Sequence, residues 1–169
     1  EHYKAQSIHQ LIATARGEDR FSNKGGYIYE SLDITNEGEV NRVLSLHKPD
    51  AVINTAAMTN VDACESEREA CDDLNVNAVK YLVHSCNEIG AHLVHVSTDF
   101  IFDGTLNRPY LETDLPNPTG VYGLTKLQGE QAIQANWEKH YIIRTSWVYS
   151  QYGTNFLKTM LRLAAERDQ

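Results

Sequence analysis

Short apolar, β-branched runs alternate along this chain with amphipathic stretches of helical period, and few folds accommodate that alternation. Ala51-Val52-Ile53-Asn54 reads as a buried strand, His92 to Ser97 as another with Leu93, Val94 and Val96 apolar, and Tyr141 to Thr145 as a third. Tyr27-Ile28-Tyr29 is a shorter candidate, announced by the turn-prone Asn23-Lys24-Gly25-Gly26. Between them, Glu37 to Leu46 carries Val40, Val43, Leu44 and Leu46 near helical spacing until Pro49 stops it. A long helix is expected from about Glu67 to Ile89, where Ala70, Leu74, Ala78, Leu82, Cys86 and Ile89 recur and Gly90 stands just past the end. A loop with Gly104, Pro109, Pro116 and Pro118 leads to a helix from Val121 to about Ala135, and a last helix runs from about Asn155 to Ala165. Strands too apolar to face water, alternating with helices, imply a parallel sheet covered on both faces. That is an α/β, doubly wound, Rossmann-like fold.

Ligands of such sheets sit at the carboxyl ends of the strands. A dinucleotide-binding sheet normally opens with a strand, a Gly-rich turn and a helix. No GxGxxG or GxxGxxG occurs here, and Gly25-Gly26 precedes a strand, so it is not a phosphate turn. Glu1 to Arg16 reads as helix or helix tail with no strand before it. A βαβ unit takes about 30 residues, so the simplest expectation is that the first strand and its turn lie upstream of Glu1, and the alternative is a protein that does not bind a dinucleotide.

Composition narrows the function classes. A chain of 169 residues suits one domain, and its net charge of -8 excludes nucleic acid and an anionic membrane surface as partners while leaving room for a small phosphorylated ligand. Cys64, Cys71 and Cys86 form no CxxC pair and read as reduced, packed thiols. The histidines show no HxxxH or HExxH spacing, so no metal site is expected. No apolar run reaches the length of a membrane span, and a soluble, cytoplasmic protein is the expectation.

The sharpest local feature is Tyr122-Gly123-Leu124-Thr125-Lys126. Residues four apart share a helix face, so phenol and ammonium approach, and a nearby cation is expected to lower the phenol pKa from about 10. Such a spacing arises by chance about 0.4 times in a chain of this composition, so context decides its meaning. Val96-Ser97-Thr98-Asp99 lies at the carboxyl end of one expected strand, where a hydroxyl can hold a substrate carbonyl beside the tyrosine. Asn54-Thr55-Ala56-Ala57 follows the preceding strand with small residues that let a flat ligand approach backbone.

With Asn54 to Asp62, Leu74-Asn75-Val76-Asn77-Ala78, Val96 to Gly104, Tyr122 to Lys126 and Arg144-Thr145-Ser146-Trp147-Val148-Tyr149, the chain resembles the extended short-chain dehydrogenase/reductases. Within that family it is most similar to reductases of dTDP-linked 4-keto sugars, from about Leu32 to the C-terminus. The resemblance implies hydride transfer from NADPH or NADH to the C4 ketone of dTDP-4-dehydro-L-rhamnose, giving dTDP-L-rhamnose for surface polysaccharide. It casts Tyr122 as the proton donor to the C4 alkoxide and Lys126 as its electrostatic partner and ligand of the nicotinamide ribose. Thr98 would bond at the reacting centre, with Asp99 beside the sugar and Trp147 packed on it; the bland alternative for Trp147 is a core aromatic. Asp33 and Ile34 match positions at the adenine end, and Ala56, Ala57, Met58 and Thr59 match the wall along the cofactor. Glu30, ending its strand, would bind ribose hydroxyls and favour NADH.

Residues 1–150 are then the NAD(P)-binding domain, N-terminally incomplete, and 151–169 open a segment leading into a substrate-binding domain not contained here. The isolated segment is expected to be nearly inactive. Some relatives hold Mg²⁺ at a subunit contact, for which no residue pattern here speaks. A homodimer through the Glu67–Ile89 and Val121–Ala135 helices is compatible with their apolar stripes, which could equally face the sheet.

Two other readings stay open. One is a nucleotide-sugar epimerase or dehydratase on the same scaffold. A dehydratase commonly carries Asp-Glu after the Ser/Thr, whereas Thr98-Asp99 is followed by Phe100. The other is a non-catalytic relative that regulates a partner enzyme, like the regulatory subunit of methionine adenosyltransferase.

Overall fold

The structure is a computed structural model, and it describes residues 9–21 and 25–166. Five strands occur among these, every observed pair is parallel, and they form a two-stranded sheet β1–β2 and a three-stranded sheet in the order β3–β4–β5. The first strand corrects the expectation of helix up to Arg16: β1 spans Ile12–Ala15 and pairs in register with β2, Ile28–Ser31, from Ile12 opposite Ile28 to Ala15 opposite Ser31. Ile-Ala-Thr-Ala carries no period of its own, so the partner strand decides its conformation. Residues 1–8 of that expected helix, and 22–24 of the turn before β2, lie outside the described residues; Gly26 takes a φ of 85° as the turn closes.

The rest follows the expected order. Helix α1, Glu37–His47, is capped by Asn36, whose side chain accepts from Glu39 N–H. Strand β3 is Ala51–Asn54, β4 is His92–Thr98 and β5 is His140–Thr145. The helix expected from Glu67 arrives in pieces: α2 over Val61–Ser66, α3 over Arg68–Asp72, a π-helical turn over Asp73–Asn77, then α4 over Ala78–Ile89. Gly90, at φ 76°, ends α4 as expected. Helix α5 is Val121–Asn136 and α6 is Phe156–Glu166.

One apolar core joins α1, α4 and α5 to the sheet through Leu32, Val40, Val43, Leu44, Val79, Leu82, Val83, Cys86, Ala91, Leu93 and Ile133. The apolar stripe of α4 therefore faces inward. Its outer side, with α3 and α5, borders a polar groove of about 930 Å³ lined by Arg68, Lys80, His84, Gln128 and Gln131 among others. Two-residue alternation puts Leu93, His95 and Ser97 on the helix-covered face of β4. Ile53, Tyr141 and Ile143 are half or more exposed, so the second covering layer expected for this sheet is absent among the described residues. No residue of α6 is buried either.

Two glycines let α5 dock against backbone. A Cβ on Gly123 would stand 2.2 Å from the Phe100 carbonyl oxygen, and one on Gly129 would stand 2.5 Å from that of Asn75. At the far end of α5, Trp137 Nε1–H donates to Ala91 O at 2.9 Å, tying the helix to the start of β4. Among the described residues no helix is long and apolar enough to cross a membrane.

Candidate active site

The site forms where β3 and β4 end and α5 begins. The first turn of α5 is held from outside: Gly120 offers no capping side chain, and Val121 N–H donates instead to Glu65 Oε1 of α2 at 2.7 Å. The next residue, Tyr122, packs its ring edge-on against Phe100 with centroids 5.6 Å apart. Its phenol lies near the Thr98 side chain at the end of β4, close enough for that hydroxyl to act on its pKa. Thr98 is buried; its Oγ1 accepts from Phe100 N–H at 3.2 Å and bonds to Asp99 Oδ1 at 3.3 Å, while Asp99 itself is exposed.

Lys126 reaches the same strand from one turn further along α5. Its Nζ donates to Val96 O at 2.8 Å and lies 3.1 Å from His95 Nε2. The expected electrostatics are corrected here. Burial pushes the Tyr122 phenol above its ordinary pKa, the nearby Thr98 hydroxyl works against that, and Cys64, Asp99 and Cys71 raise it further. No lowering by Lys126 results, because the amine is turned into the fold, where burial pulls its own pKa down to about 8 against the opposing charge of Glu130. Glu130, fully buried, is gripped by Arg144 of β5 through Nη2 at 2.7 Å and Nε at 3.2 Å.

After β3 the chain forms a ledge of small residues. Ala56 and Thr59 are exposed, and Ala57 and Met58 half-buried. Asn75, in the π-turn, clamps this ledge: its Oδ1 accepts from Met58 N–H at 2.9 Å and its Nδ2 donates to Met58 O at 3.1 Å and Thr125 Oγ1 at 3.2 Å. Asn54 Oδ1 accepts from Ala56 N–H at 3.1 Å. A rigid, side-chain-poor edge beside Tyr122 and Thr98 fits a flat ring lying against backbone, as a nicotinamide would.

The other expected site residues are scattered along the same sheet edges. Asp33 follows β2, but Thr35 holds its carboxylate through N–H at 3.0 Å and Oγ1–H at 2.7 Å, lowering its pKa, and Arg16 stands 3.8 Å away. Ile34 packs against the core. Glu30 is taken up by His47 at 3.1 Å and Arg42 at 3.7 Å, so the ribose contact that would favour NADH loses its free carboxylate. Trp147 is 64% exposed with a φ of 49°, a conformation bulky residues rarely adopt, and stacks edge-on against Phe156. Among the described residues Trp147 is therefore not part of the core.

Sequence reasoning missed His95 as a neighbour of Lys126, Glu65 as the cap of α5, and the pairing of Glu130 with Arg144. The polar His95 standing between Leu93 and Ser97 on the covered face was the available signal. Cys64, Cys71 and Cys86 are buried and free, with Cys71 Sγ 2.8 Å from Cys64 Sγ. No group of three or more His, Cys, Asp or Glu side chains that could hold a metal occurs among the described residues.

A parallel sheet whose strand end offers a threonine to the tyrosine of a Tyr-x-x-x-Lys helix is the scaffold of the short-chain-type dehydrogenase/reductases. The family model described as RmlD substrate binding domain matches residues 3–169, and the chain belongs to that family. It is 50% identical over 135 residues to the dTDP-4-dehydrorhamnose reductase of Salmonella typhimurium, a match covering 80% of this chain and 45% of that protein. The chain thus spans about half the length of the curated relatives it matches. Among solved structures, a dTDP-4-dehydrorhamnose reductase ortholog from Clostridium acetobutylicum superposes with a TM-score of 0.83 at 36% identity, over 95% of this chain and 61% of that one. The dTDP-4-dehydrorhamnose reductase from Bacillus anthracis, solved in complex with NADP, gives 0.82 at 36% identity over 94% and 60%.

Proposed function

We propose that the protein carrying this chain reduces the C4 ketone of dTDP-4-dehydro-L-rhamnose to dTDP-L-rhamnose with NADPH or NADH, in the cytoplasm, as a step toward surface polysaccharide. The observation that carries the reading is the Tyr122 phenol near Thr98 at the end of β4, with Lys126 bonded to Val96 O of the same strand. The relatives' names supply the substrate. Residues 1–150 form the coenzyme-binding unit, and 151–169, with the unburied α6, open the segment that leads to a substrate-binding unit.

When bound, the nicotinamide supplies the hydride, and the ledge Ala56, Ala57, Met58 and Thr59 holds it against the strand ends, with Asp33 and Ile34 toward the adenine. Arg16, exposed directly after β1, is the cation a 2′-phosphate needs, and together with the NADP-bound neighbour it favours NADPH. Tyr122 passes its proton to the C4 oxygen as charge develops there. A phenol whose pKa is raised stays protonated at neutral pH, which is the form a reduction consumes. Thr98 orients the oxygen, Lys126 in its ammonium form offsets the phenolate left behind and bonds the ribose, Asp99 lies beside the sugar, and exposed Trp147 packs on it. Two copies pair across the polar groove of α3, α4 and α5 as a homodimer, which sedimentation would show.

Loss of nicotinamide absorbance on mixing the protein with dTDP-4-dehydro-L-rhamnose and NADPH tests the assignment. Tyr122→Phe is expected to lower kcat by about 10²- to 10⁴-fold. A variant that keeps the wild-type rate would remove Tyr122 from the chemistry. A dehydratase reading lacks its second carboxylate, because the residue after Asp99 is the half-exposed Phe100.

A further inference from the structure

Helix α5 starts without a cap of its own. Gly120 has no side chain to bond the free N–H groups of the first turn, which is closed by Leu124 N–H donating to Gly120 O at 3.0 Å. The missing partner comes from α2, where Glu65 Oε1 accepts from Val121 N–H at 2.7 Å, a short bond to a charged acceptor. That approach requires Gly120 to be bare, because a Cβ there would stand 2.9 Å from the same oxygen. Among the described residues Glu65 makes no ion pair and no other side-chain hydrogen bond, so its carboxylate serves the head of α5 alone.

The helix is held unevenly along its length. Past the first turn, Lys126 Nζ donates to Val96 O at 2.8 Å, Gly129 lies against the Asn75 carbonyl, and Trp137 Nε1–H donates to Ala91 O. These contacts fix the body of α5 independently of Glu65. Tyr122 lies ahead of them, one residue after the capped N–H, with its ring edge-on to the half-exposed Phe100. Helix α2 is a firm base for the carboxylate: Asn60 Oδ1 accepts from Ala63 N–H at 3.0 Å to start it, and Cys64 is fully buried next to Glu65.

We infer that Glu65 is a positioning residue for Tyr122: by capping Val121 from α2 it keeps the first turn of α5 wound, and so keeps the phenol beside Thr98. Loss of the cap frees that turn to fray and the phenol to wander, while Lys126 and the ledge after β3 keep their places. The kinetic consequence rests on the reductase reading; the capping of α5 does not.

Three variants of the protein carrying this chain separate reach from charge. Glu65→Gln keeps an acceptor oxygen at the same reach without the charge, Glu65→Asp keeps the charge one methylene short, and Glu65→Ala removes both. Amide exchange followed by NMR is expected to be about fivefold or more faster at Val121 in the Asp and Ala variants, and near wild type in Gln. With dTDP-4-dehydro-L-rhamnose and NADPH, the Asp and Ala variants are expected to lose about 10- to 100-fold in kcat with KM for the cofactor within about twofold, while Gln stays within about threefold of wild type. A carboxylate acting through its charge predicts the reverse order, with Asp near wild type and Gln impaired, and that result overturns the inference. So do equal losses in all three variants, or a lowered unfolding midpoint in Asp and Ala with kcat unchanged, which is what a merely structural cap would give. If the Asp and Ala variants do not fold, Gly120→Ala, whose Cβ pushes the flexible carboxylate aside, is expected to show the same faster exchange and the same fall in kcat. Wild-type protein that turns over no dTDP-sugar refutes the reductase reading, and the exchange at Val121 alone then decides the inference.

Discussion

Lys126 is a buried amine beneath the end of β4, and its burial opposes its charge. Its pKa of about 8, against 10.5 in an unfolded chain, means that between those pH values the unfolded state holds a proton the folded state has shed. Stability conferred through this group is therefore present above pH 10.5 and lost as pH falls to 8. Urea unfolding should show wild type gaining about 2 kcal/mol on Lys126→Met between pH 8 and 10. His95 carries the acid-side counterpart, with its pKa lowered from 6.5 to about 3, so its stabilisation is present above pH 6.5 and drains away toward pH 3. His95→Leu should flatten that part of the acid limb. Parallel curves for variant and wild type would mean that neither group is as buried as its hydrogen bonds require.

Close backbone approach is what places α5, and its glycines carry that contact. Neither the Phe100 nor the Asn75 carbonyl is a flexible side-chain end that can step aside. Gly123→Ala and Gly129→Ala are each expected to cost about 1–3 kcal/mol of stability, read as a lowered unfolding midpoint. Gly123→Ala should also depress activity, since it lifts Tyr122 from Thr98. Much of this framework was legible in the residues. Strand β3 has the expected bounds, and α1, β4, α5 and β5 differ by a residue or so at their ends. Tyr122 and Thr98 meet as their positions in strand and helix required. Strand β1 was hidden because Ile-Ala-Thr-Ala becomes a strand only beside β2. The inward turn of Lys126 was hidden because spacing places a side chain on a helix face without saying which partner on that face it takes.

At the level of the assembled fold, charge and apolar surface are unevenly shared. The Glu130–Arg144 pair is buried and joins α5 to β5, so Glu130→Ala, which strands the guanidinium, should cost about 3–5 kcal/mol. The exposed Arg162–Glu166 pair on α6 should be worth under about 0.5 kcal/mol by the same unfolding measurement. Similar losses at both sites would contradict the burial of the first. The sheet face bearing Ile53, Tyr141 and Ile143 should bind a hydrophobic dye in this 169-residue chain. Replacing Ile53 and Ile143 by Thr should reduce that signal without lowering the unfolding midpoint.

The π-turn at Asp73–Asn77, where Ala78 N–H reaches back to Asp73 O, gives this helical run one residue more than a regular turn would hold. Shortening it by a single residue would let the run from Arg68 to Ile89 wind smoothly, a gain in regularity. It would also swing Asn75 about a quarter turn around the axis, off Met58 and Thr125, and leave the ledge after β3 without its bracket. The irregular coil is what lets one asparagine serve two neighbours at once.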